Sequence, residues 1–181
     1  MEDSNTLDEP IISTLLRDLK AIGRKIAIVA VPCLGRDNEL RDWDLWGPLL
    51  LCLIMAIVLG SNATSEQSGT VFSAVFALVW LGSAVVTLNA KFLGAKLSFF
   101  QIVCVMGYCI APMVLAALLS LAIPTAFWYV KTLLIGVAWL WSTWGSLRFF
   151  RGCVKPAREV LVVYPLCLFY SFMSWMVAVG I

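Results

Sequence analysis

The residue types that most often perform chemistry near neutral pH are scarce in this chain, and those present are badly placed for it. Histidine is absent, which removes the commonest general base and the commonest metal ligand. The six cysteines, at 33, 52, 104, 109, 153 and 167, form no CxxC pair, and Cys104 and Cys109 stand five apart. Such spacing supports neither a zinc site nor a disulfide framework. Cys33 and Cys153 lie near the edges of apolar segments, where palmitoylation or plain burial would each account for them. All thirteen basic and eleven acidic residues fall in tails, loops or segment ends. No carboxylate relay and no buried lysine is therefore expected inside the apolar segments. Ser73, Ser83, Thr87, Asn89, Gln101, Ser120, Ser142, Thr143, Ser146, Ser171 and Ser174 do lie there. A serine nucleophile needs a base, so these residues read as interhelical hydrogen bonders and close-packing positions. The expectation is a protein that is not an enzyme and holds neither metal nor cofactor.

One charge cluster has a pattern. Asp37, Glu39, Asp42 and Asp44 precede an apolar run, and Asp42 and Asp44 flank Trp43 just before Leu45-Trp46-Gly47-Pro48. Two roles fit equally: a binding face for a basic partner, or a capping lock at the start of a helix. Pro48 suits a first helical turn, where its missing N–H costs nothing.

The elements that must position these residues are those of a membrane protein. Hydrophobic residues make up 61% of the 181 and charged residues 13%, where soluble domains average roughly 45–50% and about 25%; mean hydropathy is +0.93. The expected fold is all-α, a polytopic bundle of about five transmembrane helices preceded by a short cytosolic amphipathic helix. Residues 1–10 read as an acidic tail, 11–45 as a cytosolic amphipathic or interfacial segment, and 46–181 as the membrane domain. The spans fall at about 46–60, 71–88, 97–123, 132–150 and 160–181, with kinks expected at Pro112 and Pro165. In the amphipathic segment Leu15, Leu19, Ile22 and Ile26 recur at steps of four, three and four, placing them on one face. Arg17, Lys20, Arg24 and Lys25 are assigned to other faces. The pattern fits a helix lying in the membrane interface among lipids, or one packing on a protein partner.

Charge sets the topology. Five spans with a cytosolic N-terminus place twelve basic residues inside and only Lys131 outside, leaving the C-terminus lumenal. No basic region precedes an early apolar core, so no cleavable signal peptide is expected. Asn62-Ala-Thr64 is a glycosylation sequon, but it adjoins the end of the first span, where enzyme access is hindered.

Four motifs then carry a family resemblance. LRDWDLWGPLLLC (40–52) resembles the opening of the Yip domain, a family of five-span Golgi and ER proteins that interact with Ypt/Rab GTPases. GYCIAP (107–112), WSTWGS (141–146) and YPLCLFYSFMSW (164–175) resemble that family's third-, fourth- and last-span motifs, in family order. LLRDLKAIGRK (15–25) most resembles the branch called YIPF six in animals and Yip four in yeast and plants. The resemblance implies a non-catalytic factor in vesicle-mediated transport between ER and Golgi or within the Golgi. It implies Rab-type GTPases and related five-span proteins in a hetero-oligomer as partners, with no nucleic acid. The implied motif residues are Asp42, Asp44, Leu45, Trp46, Gly47, Pro48, Gly107, Tyr108, Pro112, Tyr164 and Pro165. Gly107 is expected to permit a close helix approach and Pro112 to kink the span. Family contacts with GTPases are usually attributed to a longer cytosolic region; about 45 residues precede the first span here, so those contacts would use the 11–47 segment. Alternative functions are a small transporter or channel, which charge-free spans disfavour, and a bilayer-shaping protein using the amphipathic helix as a wedge.

Overall fold

A computed structural model describes residues 11–30, 45–64, 66–95, 98–151 and 159–180. Asp42 and Asp44, Trp43, the acidic tail, Cys33 and Cys153 lie outside the described residues. The structure is an all-α membrane bundle. Its helices are α1 (Ile11–Ala30), α2 (Trp46–Asn62), α3 (Ser68–Phe92), α4 (Phe99–Tyr108), α5 (Ala111–Ala122), α6 (Trp128–Phe150) and α7 (Glu159–Gly180).

Three stretches are long and apolar enough to cross a bilayer: α3, α4 and α5 taken together as Phe99–Ala122, and Val160–Gly180 of α7. The 17-residue α2 is shorter. The 23-residue α6 is long enough, but four tryptophans and Lys131 lower its hydropathy. Neighbour packing sets the layout. α2 pairs with α3 and α4, α3 with α4 and α7, and α6 with α5 and α7. The α4–α5 span is central: 78% of it is buried inside the protein, against 28% of α3 and 33% of α7.

Local sequence explains where the helices stop and start. α3 ends on Gly94, whose φ of 86° is the left-handed conformation that favours glycine. Gly94 N–H bonds the Lys91 carbonyl and Ala95 N–H bonds that of Ala90, the paired bonds of a Schellman ending. α4 opens on a capping box: the Gln101 N–H donates to Ser98 Oγ, and the Ser98 N–H donates to Gln101 Oε1. The central span breaks at Cys109–Ile110, where Pro112 begins a second helix. Pro165, by contrast, lies inside a continuous α7.

Candidate functional site

The motif residues converge on the break in the central span. Pro48 sits in the first turn of α2, where helix N–H groups have no intrahelical partner. This lets α2 begin against α4 without losing a hydrogen bond. A side chain added at Gly107 would collide with Pro48 Cβ and would lie 2.9 Å from its Cγ and 3.1 Å from its Cα. One added at Gly47 would fall on the Tyr108 ring and hydroxyl. The two motifs therefore interlock reciprocally, each glycine receiving the bulky residue beside the other. Tyr108 is fully buried in this lock.

A second layer forms on the opposite side of the break. The Ile110 N–H bonds the Gly107 carbonyl three residues back, where an α-helix would direct it to Met106. Tyr170 of α7 donates its hydroxyl to the Met106 carbonyl at 3.3 Å. That commits the tyrosine's single proton, so in the 2.5 Å contact between the two hydroxyls Ser146 is the donor. The Cys109 thiol is buried beside both hydroxyls. Residues from the third-, fourth- and last-span motifs thus meet in one buried polar node, which completes the backbone where the helix is interrupted.

α1 closes the site from outside the spans. Ile22, Ile28 and Val29 are buried against the bundle and Ile26 packs beside them. The Val29 carbonyl, an orphan of the last helical turn, accepts the Trp141 indole N–H at 3.1 Å. Lys25 corrects the sequence reading. Expected on a polar face with Arg17, Lys20 and Arg24, it is only 9% exposed, and its ammonium lies 5.5 Å from the Tyr108 ring centroid. The reason is periodicity: Lys25 stands three residues after Ile22 and four before Val29, on the docking face. Ile22 likewise packs on protein, whereas Leu19 remains 58% exposed and Arg17, Lys20 and Arg24 are exposed.

The remaining expected residues are dispersed. Trp46 (69% exposed) and Leu45 face outward from the start of α2, and Tyr164 (70% exposed) faces outward from α7. Pro112 is half-buried beside α1. Pro165 removes the N–H that would bond the Leu161 carbonyl, and the Asn89 side-chain amide of α3 donates to that carbonyl at 3.0 Å. The polar residues expected to tie helices together divide. Asn89, Ser146 and Ser171 do so, Ser171 by accepting the Trp139 indole N–H. Ser73, Thr87 and Ser120 bond carbonyls of their own helices. Ser83, Ser142 and Thr143 have no hydrogen-bond partner among the described residues. Tyr170 and Cys109 are the residues of the node that the sequence does not single out, whereas Asn89 and Ser146 bond across helices as expected.

The Yip1 domain family model matches residues 36–176. The chain is similar to "Protein YIPF6 homolog" of Dictyostelium discoideum, 48% identical over 178 residues, covering 98% of this chain and 97% of that one. It is similar to "Protein YIPF6" of Homo sapiens, 43% identical over 184 aligned positions, covering 97% and 77%. It is similar also to "Protein YIP4" of Schizosaccharomyces pombe, 36% identical over 173 residues, covering 96% and 75%. No solved structure matches. With a family model matched over residues 36–176 and relatives aligned over nearly all of this chain, it belongs to the Yip1-domain family.

Proposed function

We propose that the chain is a non-catalytic membrane factor of vesicle-mediated transport, resident in Golgi or ER membranes with its N-terminus cytosolic and its C-terminus lumenal. It acts by holding Rab-type GTPases and related five-span proteins of its family at the membrane. Family membership and the positive-inside charge count support this reading. The observation that carries it is the docking of α1 on the Gly47–Tyr108 lock. This docking joins the segment before the first span to the membrane domain and builds a rigid protein face from both. Asp42 and Asp44, between α1 and α2 in the chain, are the proposed acidic part of that face.

The test is a crosslinking pull-down of the tagged full chain from Golgi membranes, with identification of the proteins recovered. Gly47→Leu, which drives a side chain onto Tyr108, is expected to abolish recovery of partners without releasing the chain from membranes. Lys25→Glu and Asp44→Ala are expected to reduce it. Unchanged recovery in all three variants would count against the reading.

A wedge role has one observation of its own, the exposure of Leu16 and Leu19 beside exposed Arg17 and Lys20 on the outer half of α1. Liposome tubulation abolished by Leu16→Ser with Leu19→Ser would favour it.

A further inference from the structure

The spans of this bundle are level at one end and uneven at the other. At the Asn62 end of α2, Gly60 lies beside Ser68, the first residue of α3, with an added Cβ 3.9 Å from the Ser68 carbonyl oxygen. Gly180, the last residue of α7, lies against Leu59 of α2. At the Trp46 end, three neighbours of α2 overshoot it. α3 has 25 residues to the 17 of α2, so it rises about 12 Å further. Gly47 and Pro48, in the first turn of α2, meet Tyr108 and Gly107, and eight residues of α4 stand between Gly107 and the helix start, again about 12 Å. The Asn89–Leu161 bond sets α7 beside the last turn of α3. From Gly180 to Leu161 α7 covers nineteen residues, where α2 covers thirteen from Leu59 to Trp46, an overshoot of about 9 Å.

The side chains at the two heights have opposite needs. Immediately before Leu45 the sequence carries six charged residues between Arg36 and Asp44, and hydrocarbon does not accept such a run. Trp46 is exposed at the first residue of α2, and tryptophan favours the membrane–water boundary. Lys25, over the Tyr108 ring, adds a cation beside the same lock. Water must therefore reach down to the start of α2. Yet Val85, Leu88 and Phe92 of α3 stand above that level, apolar and exposed, as do Val160 and Leu161 of α7. Those surfaces call for lipid. Tilting the bundle cannot meet both needs, because it only moves the offset to the end where the helices are level.

We propose that the hydrophobic belt of this protein has a step, and that the leaflet on the Trp46 side is thinned against α2. Lipid reaches Phe92 along α3 but ends at Trp46 along α2, about 12 Å lower. A hydrophobic stretch shorter than the local hydrocarbon thins the bilayer around it. Here the short helix is fixed beside long ones by the Gly47–Tyr108 and Pro48–Gly107 contacts, so the thinning is confined to one side of the protein. The partner of this face is the lipid surface itself, with acyl chains short or bent enough to end at Trp46. The proposal rests on the membrane bundle alone and on no role in trafficking.

The test reconstitutes the full chain in dioleoylphosphatidylcholine vesicles, with a charged maleimide on both sides of the bilayer. Cysteine is placed singly at exposed positions: Leu45→Cys and Leu49→Cys on α2, Leu88→Cys on α3. Labelling at each position is read by peptide mass spectrometry, which separates the native cysteines. Counted up from the Gly60–Ser68 contact, Leu88 stands about 9 Å above Trp46. A step nevertheless predicts that Leu45→Cys labels about tenfold faster than Leu88→Cys, because a charged reagent is excluded from hydrocarbon. Leu49→Cys, below the edge on α2, should stay unlabelled. Two results overturn the proposal. If Leu88→Cys labels as fast as Leu45→Cys, the membrane edge is flat at the height of Trp46, and the apolar top of α3 awaits a protein cover. If Leu45→Cys is as protected as Leu49→Cys, the edge is flat at the height of Phe92. Where a variant loses its monodisperse profile in detergent, Trp46→Cys replaces Leu45→Cys or Val85→Cys replaces Leu88→Cys, and the same readings apply.

Discussion

Two prolines interrupt two spans of this bundle, with opposite results. Pro165 sits inside α7, and the helix runs through it. Pro112 is the second residue of α5, just past Cys109 and Ile110, which belong to neither α4 nor α5. Proline chemistry is the same in both places: one N–H is missing and the ring crowds the carbonyl four residues back. The surroundings differ. α7 is 33% buried and loses one backbone bond, which a single amide from Asn89 replaces. The central span is 78% buried and is held on one face by the Gly107–Pro48 contact and on another by Tyr170. Unsatisfied backbone groups in hydrocarbon are costly, so irregular backbone persists in a membrane only where protein supplies the missing partners. An outer span tolerates one proline with one repair. A true break belongs in the most buried span, where protein on several sides can complete it.

Overfilling the glycine contact beside the break should do the most damage. At Gly107 the obstacle includes the Pro48 backbone at 3.1 Å, and neither helix can shift without opening the Tyr108 lock. Gly107→Leu is expected to lose about 3 kcal/mol, the upper end for overpacking, and to leave little monodisperse protein in mild detergent after brief heating. Gly136 of α6 has nothing within 4 Å of an added Cβ. Gly136→Ala should be neutral or should stabilise by about 0.5–1 kcal/mol, as helix-interior glycines usually allow. Equal behaviour of the two variants would mean that the α2–α4 contact does not hold the break in place.

Removing the hydroxyl that completes the break comes next. Tyr170→Phe leaves the Met106 carbonyl and the Ser146 hydroxyl without their partner. The expected loss is roughly 1–3 kcal/mol, read as a lower Tm in detergent. Ser146→Ala should lose less, because Tyr170 keeps its bond to Met106. The reverse order would show that the Ser146–Tyr170 pair, and not the carbonyl, is what the node serves.

Much of this architecture is legible in the sequence, and the illegible part has a common cause. Composition and the spacing of apolar runs reveal an all-α membrane bundle, and Pro112 marks the interrupted span. Gly47-Pro48 and Gly107-Tyr108 can be recognised as motifs. That they fill one another is a tertiary fact about residues sixty positions apart, which no local pattern encodes. The Ser98–Gln101 capping box was within reach, since serine followed three residues later by glutamine at a helix start has a known geometry. A stripe through Leu15, Leu19, Ile22 and Ile26 leaves Lys25 on another face. Drawn through Ile22, Ile26 and Val29, the docking face includes Lys25. Tyr170 looks like an ordinary span residue and Asn89 like a general interhelical hydrogen bonder until the freed carbonyls are located, because their acceptors lie 64 and 72 positions away.

The smallest effect is also the sharpest test of the comparison, because it asks whether one side chain exists to repair one proline. Asn89→Leu should lose about 1 kcal/mol, the usual net worth of one hydrogen bond. Pro165→Ala restores a backbone N–H that can bond the Leu161 carbonyl within α7. In that background the amide of Asn89 is no longer the sole donor, and Asn89→Leu should have little effect. The double-mutant cycle, read from Tm values in one detergent, is therefore expected to show a coupling of at least about 0.5 kcal/mol, above the error of additivity for independent sites. An Asn89→Leu penalty of the same size in both backgrounds would sever the link between the two residues. Asn89 would then be a general tie between α3 and α7, and the continuity of α7 through Pro165 would need another cause.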